Sequence, residues 1–340
     1  MLKGKFGWLL RIALTIALFV VMFAFFVDVD ELLQDIRQVA VGWLLAATVV
    51  KGIGVLAAIL RWDQLLRGQG YRAPLGYLTS SFLVGRFIGV FLPSTIGLDG
   101  YRAYDVARQA KDTVGSVAVI LVEKITGFFT LSLLVLVTLP AGLRFLPIQA
   151  LIVVCVIFCA PVAVSFALLL KPTLVEWLLD RLLGLRFPGK AKVEGLLRRS
   201  VAAVTVYQDR RGVLLRAVLL GIVVHGSTAL MYYFCALAVG VEAGLADMLF
   251  VGPWIILATV GLPTIGGEGA REFTALGLLS RIGVGESAAW LVGHLGFWAA
   301  EFVPAVIGGL ILALRPEQYR PDIQRAETLS TQKEEVTGTT

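Results

Sequence analysis

Two short stretches of the chain set an acid and an arginine three residues apart inside apolar surroundings: Asp99 with Arg102, and Glu268 with Arg271. On a helix that spacing puts both side chains on one face, where they can simply pair. The same guanidinium can instead offer its planar fork to a phosphate. Each stretch opens on Leu-Pro followed by hydroxyl residues, Ser94 and Thr95 in one and Thr264 in the other. Pro favours the first turn of a helix and Ser or Thr can cap it. Both breaks are therefore expected to begin helices whose free N–H groups and positive dipole ends attract an anion. Lys51 and His225 stand in matching places upstream, and Glu123, Lys124 and Glu301 add ionisable groups downstream that could close the network or relay a proton.

The two stretches are copies of one motif. Leu92-Pro93-Ser94-Thr95-Ile96-Gly97-Leu98-Asp99-Gly100-Tyr101-Arg102 aligns, with one gap, to Leu262-Pro263-Thr264-Ile265-Gly266-Gly267-Glu268-Gly269-Ala270-Arg271. Upstream, Val49-Val50-Lys51-Gly52 is echoed by Val223-Val224-His225-Gly226. Downstream, Val122-Glu123-Lys124 with Gly127-Phe128 is echoed by Val292-Gly293-His294 with Gly296-Phe297. Ordered agreement across three blocks points to duplication rather than chance.

Other chemistry finds little support. The chain has only two histidines, and no Gly-x-Ser-x-Gly, His-Glu-x-x-His or phosphate-loop pattern occurs. Cys155, Cys159 and Cys235 lie in apolar runs without metal-ligand neighbours and read as small buried hydrophobes. No metal or cofactor is expected. Two alternatives stay open. The acid–Arg pairs could be purely structural, although each charge at the bilayer centre costs roughly 2.5 to 3.5 kcal/mol on insertion scales. An embedded lipid transferase could use Asp99, Glu268 or Glu123 as its base.

The elements that must position these residues are membrane helices. Hydrophobic residues make up 58% of the chain, charged residues 16%, and the mean hydropathy is +0.84, which suits lipid rather than water as the solvent. The formal charge of +6 comes without a basic stripe interleaved with aromatics, so nucleic acid is not an expected partner. Spans are expected at about 8 to 27, 42 to 62, 113 to 138, 147 to 170, 213 to 239 and 286 to 314. Lys3 and Lys5 precede the first span, which lacks a small-x-small cleavage site and is expected to be retained. An acidic amphipathic piece holding Val29, Leu32, Leu33, Ile36 and Val39 should lie along the outer interface.

Residues 75 to 111 and 247 to 283 each begin apolar, break at Leu-Pro and continue too polar to face lipid, so each is expected to be a re-entrant hairpin. The basic connection 171 to 212 and the polar tail 315 to 340 fall on the cytoplasmic side by the positive-inside rule, together with the N-terminus, and the tail is expected to be disordered. The predicted fold is thus an all-α polytopic membrane protein with six spanning helices and two re-entrant helical hairpins in inverted repeats. The domain is single, 1 to 314, with repeats at about 40 to 139 and 214 to 314. Three spans separate the hairpins, so they enter from opposite faces. That is a transporter design, because exchanging the conformations of two related halves alternates access to a midplane site.

At these same residues the chain resembles the lysylphosphatidylglycerol synthase transmembrane-region family, a flippase-like membrane domain, from about residue 40 to 312. The likeness rests on Arg61-Trp62 with Leu65-Leu66, on Phe91-Leu92-Pro93-Ser94 through Asp99 and Arg102, on Glu123-Lys124, and on Leu262-Pro263 through Gly266-Gly267 to Arg271-Glu272. The chain departs from the family pattern at Leu98, where a Gly is usual, and at Glu268, where an apolar residue is usual. The resemblance implies movement of an anionic lipid, or a polyprenyl-phosphate-linked headgroup, between leaflets of a cell (inner) membrane. Enzymes of envelope-lipid synthesis are its implied partners. Relatives that make aminoacyl-phosphatidylglycerol add further spans and a cytosolic transferase domain, and the short tail here leads us to expect no such synthesis.

Overall fold

The computed structural model describes residues 2–91, 96–170, 177, 181, 205–207, 209–314 and 324–325. Helix α1 (Leu2–Phe25) turns sharply into α2 (Val29–Gln38), the axes differing by 97°. Asp28 starts α2 by accepting the Asp30 and Glu31 N–H groups at 2.9 and 3.0 Å, a side-chain cap, and α2 buries Leu32 against the bundle. Then follow α3 (Val41–Gly68), α4 (Leu75–Phe91), α5 (Ile96–Ala110), α6 (Thr113–Gly142), α7 (Ile148–Leu170), α8 (Arg211–Val239), α9 (Leu245–Gly261), α10 (Ala270–Leu279), α11 (Glu286–Phe297) and α12 (Val303–Leu314). A π turn, Trp298–Phe302, joins the last two into one continuous rod.

Helices therefore occupy all six ranges expected to span. Four of them, Val41–Gly68, Thr113–Gly142, Arg211–Val239 and Glu286–Leu314, are long and apolar enough to cross a membrane outright, and the bent α1–α2 pair is a candidate fifth. Exposed Leu45, Val49, Ile53 and Leu56 form an apolar stripe down α3, and α7 shows Ile152, Val153, Val156 and Ile157 in the same way. Water would not tolerate such patches, whereas lipid does. The chain is a multi-pass membrane protein. One small departure from an all-helical fold is the antiparallel pairing of Tyr71–Arg72 with Gln324–Arg325, a piece of the polar tail. Most of the connection 171 to 212 and of the tail lies outside the described residues.

The packing is reciprocal. Helices α3 and α8 run together at the centre, with Gly54 seated against Ser227. On one side α4 lies on α12, where Gly308 is pressed to the Leu83 carbonyl. On the other α9 lies on α6, where Gly142 meets the Phe250 ring. Each of α4 and α9 is followed by a short helix folded back along it. Leu98 of α5 covers Gly85 and Gly89 of α4, and Gly267, just ahead of α10, covers Thr259 of α9.

Contacts between connections sort the chain to two ends. At one end the Asp28 N–H donates to Ser287 Oγ (3.2 Å), Ala40 N–H to Ala238 O (2.8 Å) and Arg281 to Phe145 O (3.4 Å), while Arg144 pairs with Asp247. At the other end Tyr71 donates to Asp112 (2.7 Å), Tyr207 to Leu65 O (2.6 Å) and Arg210 to Arg67 O (3.3 Å). The pair α4–α5 begins and finishes at the second, base-rich end, and α9–α10 begins and finishes at the first, acid-rich one.

Candidate functional site, a cation-lined cavity

The end of α4 meets the break between α9 and α10 inside the bundle. The Val90 carbonyl, at the close of α4, lies against Gly266 in the break between α9 and α10. A cavity of about 300 Å³ opens there, walled by α3 to α6, α8 to α10 and the π turn. Among the described residues, five cations (Lys51, Arg61, Arg86, Lys124 and Arg271) and two carboxylates (Glu123 and Glu301) line it, together with His225, Thr228 and Tyr232.

On the first copy's side the charges are tied into one chain. Glu123 takes Arg61 Nη2 on one carboxylate oxygen and Arg102 Nη1 on the other, both at 2.9 Å. Arg102 also donates to Asp99 at 2.6 Å, and Asp99 takes Lys124 at 2.5 Å on its second oxygen. The Arg102 guanidinium stands over the rings of Trp62 and Phe82, with centroids 5.0 and 5.2 Å away. The i, i+3 pairing of Asp99 with Arg102 is thus present, within a larger network. Arg61 is only half satisfied: its residue is 7% exposed, yet its Nε and Nη1 have no hydrogen-bond partner among the described residues.

On the second copy's side the arrangement is looser. Arg271 donates to the Gly266 carbonyl at 2.6 Å and stacks over Phe297 at 5.1 Å, but stands 3.7 Å from Glu268, beyond a hydrogen bond. Glu272 and Glu268 approach His294 Nδ1 at 3.3 and 4.0 Å. Trp298 Nε1 can only donate, and it reaches His294 Nε2 at 3.3 Å, so Nδ1 carries the imidazole hydrogen and gives it to Glu272. The Glu268, Glu272 and His294 donor atoms sit within 4.8 Å of one another, a spacing a metal ion could use. With Trp298 filling the Nε2 lone pair, the observed hydrogen bonding is that of a polar triad instead.

A third group bridges the copies. Arg86 of α4 pairs with Glu301 of the π turn at 2.5 Å, and Lys51 donates to Thr228 Oγ1 at 2.8 Å. His225 Nε2 contacts the Gly127 carbonyl at 3.1 Å.

Of the residues predicted from sequence, Lys51, Glu123, Lys124, His225 and Arg271 line the cavity. Asp99, Arg102, Thr264 and Glu268 are not among its described lining residues, and Asp99 and Arg102 act from behind through Glu123 and Lys124. Ser94 and Thr95 lie outside the described residues. The expectation that Pro263 opens a helix capped by Thr264 is corrected. Helix α10 begins only at Ala270, because Gly266, Gly267 and Gly269 hold φ values of 60°, 79° and 78°, which a right-handed helix excludes. The N–H of its N-cap residue is also not free for a ligand: the Gly269 N–H donates to Glu272 at 2.8 Å. Thr264 is buried with its hydroxyl unpartnered among the described residues. Sequence reasoning did not pick out Arg61, Arg86, Thr228, Tyr232 and Glu272 as site residues. The signal for the charged ones was present, since an ionisable residue inside an apolar segment seldom faces lipid.

A multi-pass helical membrane protein with a charged cavity between two broken helix pairs is the class these features define. The chain belongs to the lysylphosphatidylglycerol synthase TM region family, which it matches over residues 8–309. That membership associates it with membrane lipids. No curated protein matches the chain.

Proposed function

We propose that this protein is a flippase-like transporter that moves an anionic lipid, or a lipid-linked headgroup such as a polyprenyl phosphate, between leaflets through the cavity. The observation that supports it most is the surplus of cations lining the cavity, three of them buried, above all Arg61 with two idle guanidinium donors. A buried charge needs a partner, and a phosphate would supply one. The two helix pairs opening at opposite ends of the bundle fit re-entrant hairpins in inverted repeats, the acid-rich end facing out and the base-rich end, with both termini, facing the cytoplasm of a cell membrane. Transport needs no covalent step, and none is assigned. Enzymes that make the cargo are the partners this role calls for.

Purified protein in liposomes should render a labelled anionic phospholipid accessible to an impermeant outside reagent without changing its mass. Arg102→Glu should stop the exchange, since it sets a third carboxylate beside Asp99 and Glu123. The buried carboxylates of Glu123 and Asp99 favour one rival, a lipid-modifying transferase with one of them as base. A new lipid species that depends on Glu123 or Asp99, with no leaflet exchange, would replace the transporter by that enzyme.

A further inference from the structure

Three cations from three different elements converge on one side chain in the cavity. Glu301 pairs with Arg86 of α4 at 2.5 Å, and Lys51 of α3 and Arg271 of α10 both lie within electrostatic reach of the same carboxylate. Arg86 and Arg271 belong to the two different helix pairs, so Glu301 is the point where both halves meet one negative charge. Arg271 also has Glu268 at 3.7 Å, whereas among the described residues Arg86 and Lys51 have no carboxylate but Glu301 in an ion pair or lining the cavity beside them. Arg86 Nε and Arg271 Nε have no hydrogen-bond partner among the described residues, and the Arg271 side chain is 3% exposed. Glu301 is itself brought to the cavity by the π turn Trp298–Phe302, and single π turns inside α-helices are frequent at functional sites.

We infer that the Glu301 carboxylate holds the place of the substrate's phosphoryl group, so that Arg86, Lys51 and Arg271 form the primary phosphate subsite and Glu301 must leave Arg86 when the headgroup enters. This rests on the lipid-transport proposal and adds to it where the phosphate sits. A carboxylate offers two acceptor oxygens to the three cations. A phosphoryl group offers three and engages the idle Nε donors as well. The exchange also links binding to movement, because Arg86–Glu301 is an ion pair between α4 of one half and the last rod of the other.

The test is binding, read separately from transport. Detergent-purified full-length protein is titrated with dioctanoyl phosphatidic acid, followed by intrinsic Trp fluorescence and ligand-induced thermal stabilisation. Dioctanoyl phosphatidylcholine and free glycerophosphate are titrated in parallel arms. Glu301→Gln, which keeps the side chain's shape and removes the competing charge, should tighten phosphatidic acid binding by about tenfold, and Arg86→Gln should weaken it by at least about tenfold. Arg86→Lys controls for folding and should retain part of the affinity. Tightening by Glu301→Gln for glycerophosphate as strongly as for phosphatidic acid would assign the subsite to a free phosphate; tightening for the lipid alone assigns it to a headgroup. If wild-type protein binds phosphatidic acid but Glu301→Gln weakens or does not alter it, the subsite is wrong while the lipid reading stands. Binding of phosphatidic acid by neither wild type nor Glu301→Gln overturns both.

Discussion

The two copies of the motif share a plan and differ in how tightly it is closed. In the first, Glu123 grips two arginines and Asp99 grips Arg102 and Lys124, all at 2.9 Å or less. In the second, Gly293 stands where alignment puts a partner for Glu123, and the acid has moved to Glu272, which faces the start of its own helix and His294. Arg271 donates to a backbone carbonyl, stacks on an aromatic face and has Glu268 only at 3.7 Å. The same arginine thus stands in both stretches, held by two carboxylates within 2.9 Å in the first and by none within hydrogen-bond range in the second.

The sharpest way to break the comparison is to remove one acid from each copy. Glu123→Ala strands Arg61 and Arg102 without their shared counterion, and losing one member of a buried pair costs about 3 to 5 kcal/mol. Glu268→Ala removes a partly exposed carboxylate that holds no arginine within hydrogen-bond range, so its cost should stay under about 1 kcal/mol. Unfolding in detergent monitored by Trp fluorescence measures both. Equal losses would mean that the copies are equally closed.

Helix contacts offer a second comparison of the same kind. Gly308 of α12 is pressed to the main chain at Leu83 and Val84 of α4, whereas Gly142 of α6 meets only the side chains of Phe250 and Leu151. Backbone cannot turn aside and side chains can, so Gly308→Ala should cost about 2 to 3 kcal/mol and Gly142→Ala about 1 kcal/mol. The reverse order would place the rigid seam between α6 and α9 instead.

Much of this was legible before any coordinates. The six apolar runs are local signals, and local signals are what a sequence states directly. Duplication exposed both arginines because the motif repeats in order. The meeting of charges was not legible, since Arg61 finds Glu123 across 62 residues and Arg86 finds Glu301 across 215. Pro263 misled for a physical reason. Its preference for a first helical turn competes with three glycines at positive φ just beyond it, and the glycines prevail.

The smallest expected effect tests that correction. Thr264 aligns with the hydroxyl pair of the first break and was expected to cap a helix, yet it is fully buried with an Oγ1 that meets no partner among the described residues. Thr130 is an equally buried threonine whose hydroxyl donates to Thr126 O at 3.0 Å and Gly127 O at 2.9 Å. Valine keeps the shape of threonine and deletes the hydroxyl. At Thr130 that change removes a made hydrogen bond and should cost about 1 kcal/mol. At Thr264 it removes a buried polar group that nothing satisfies, so Thr264→Val should be neutral or stabilise by up to about 1 kcal/mol. A loss at Thr264 as large as at Thr130 would mean that its hydroxyl does bind something in the folded protein. The second break would then be as well satisfied as the network around Glu123, and the difference between the copies would shrink to Glu268 and Arg271 alone.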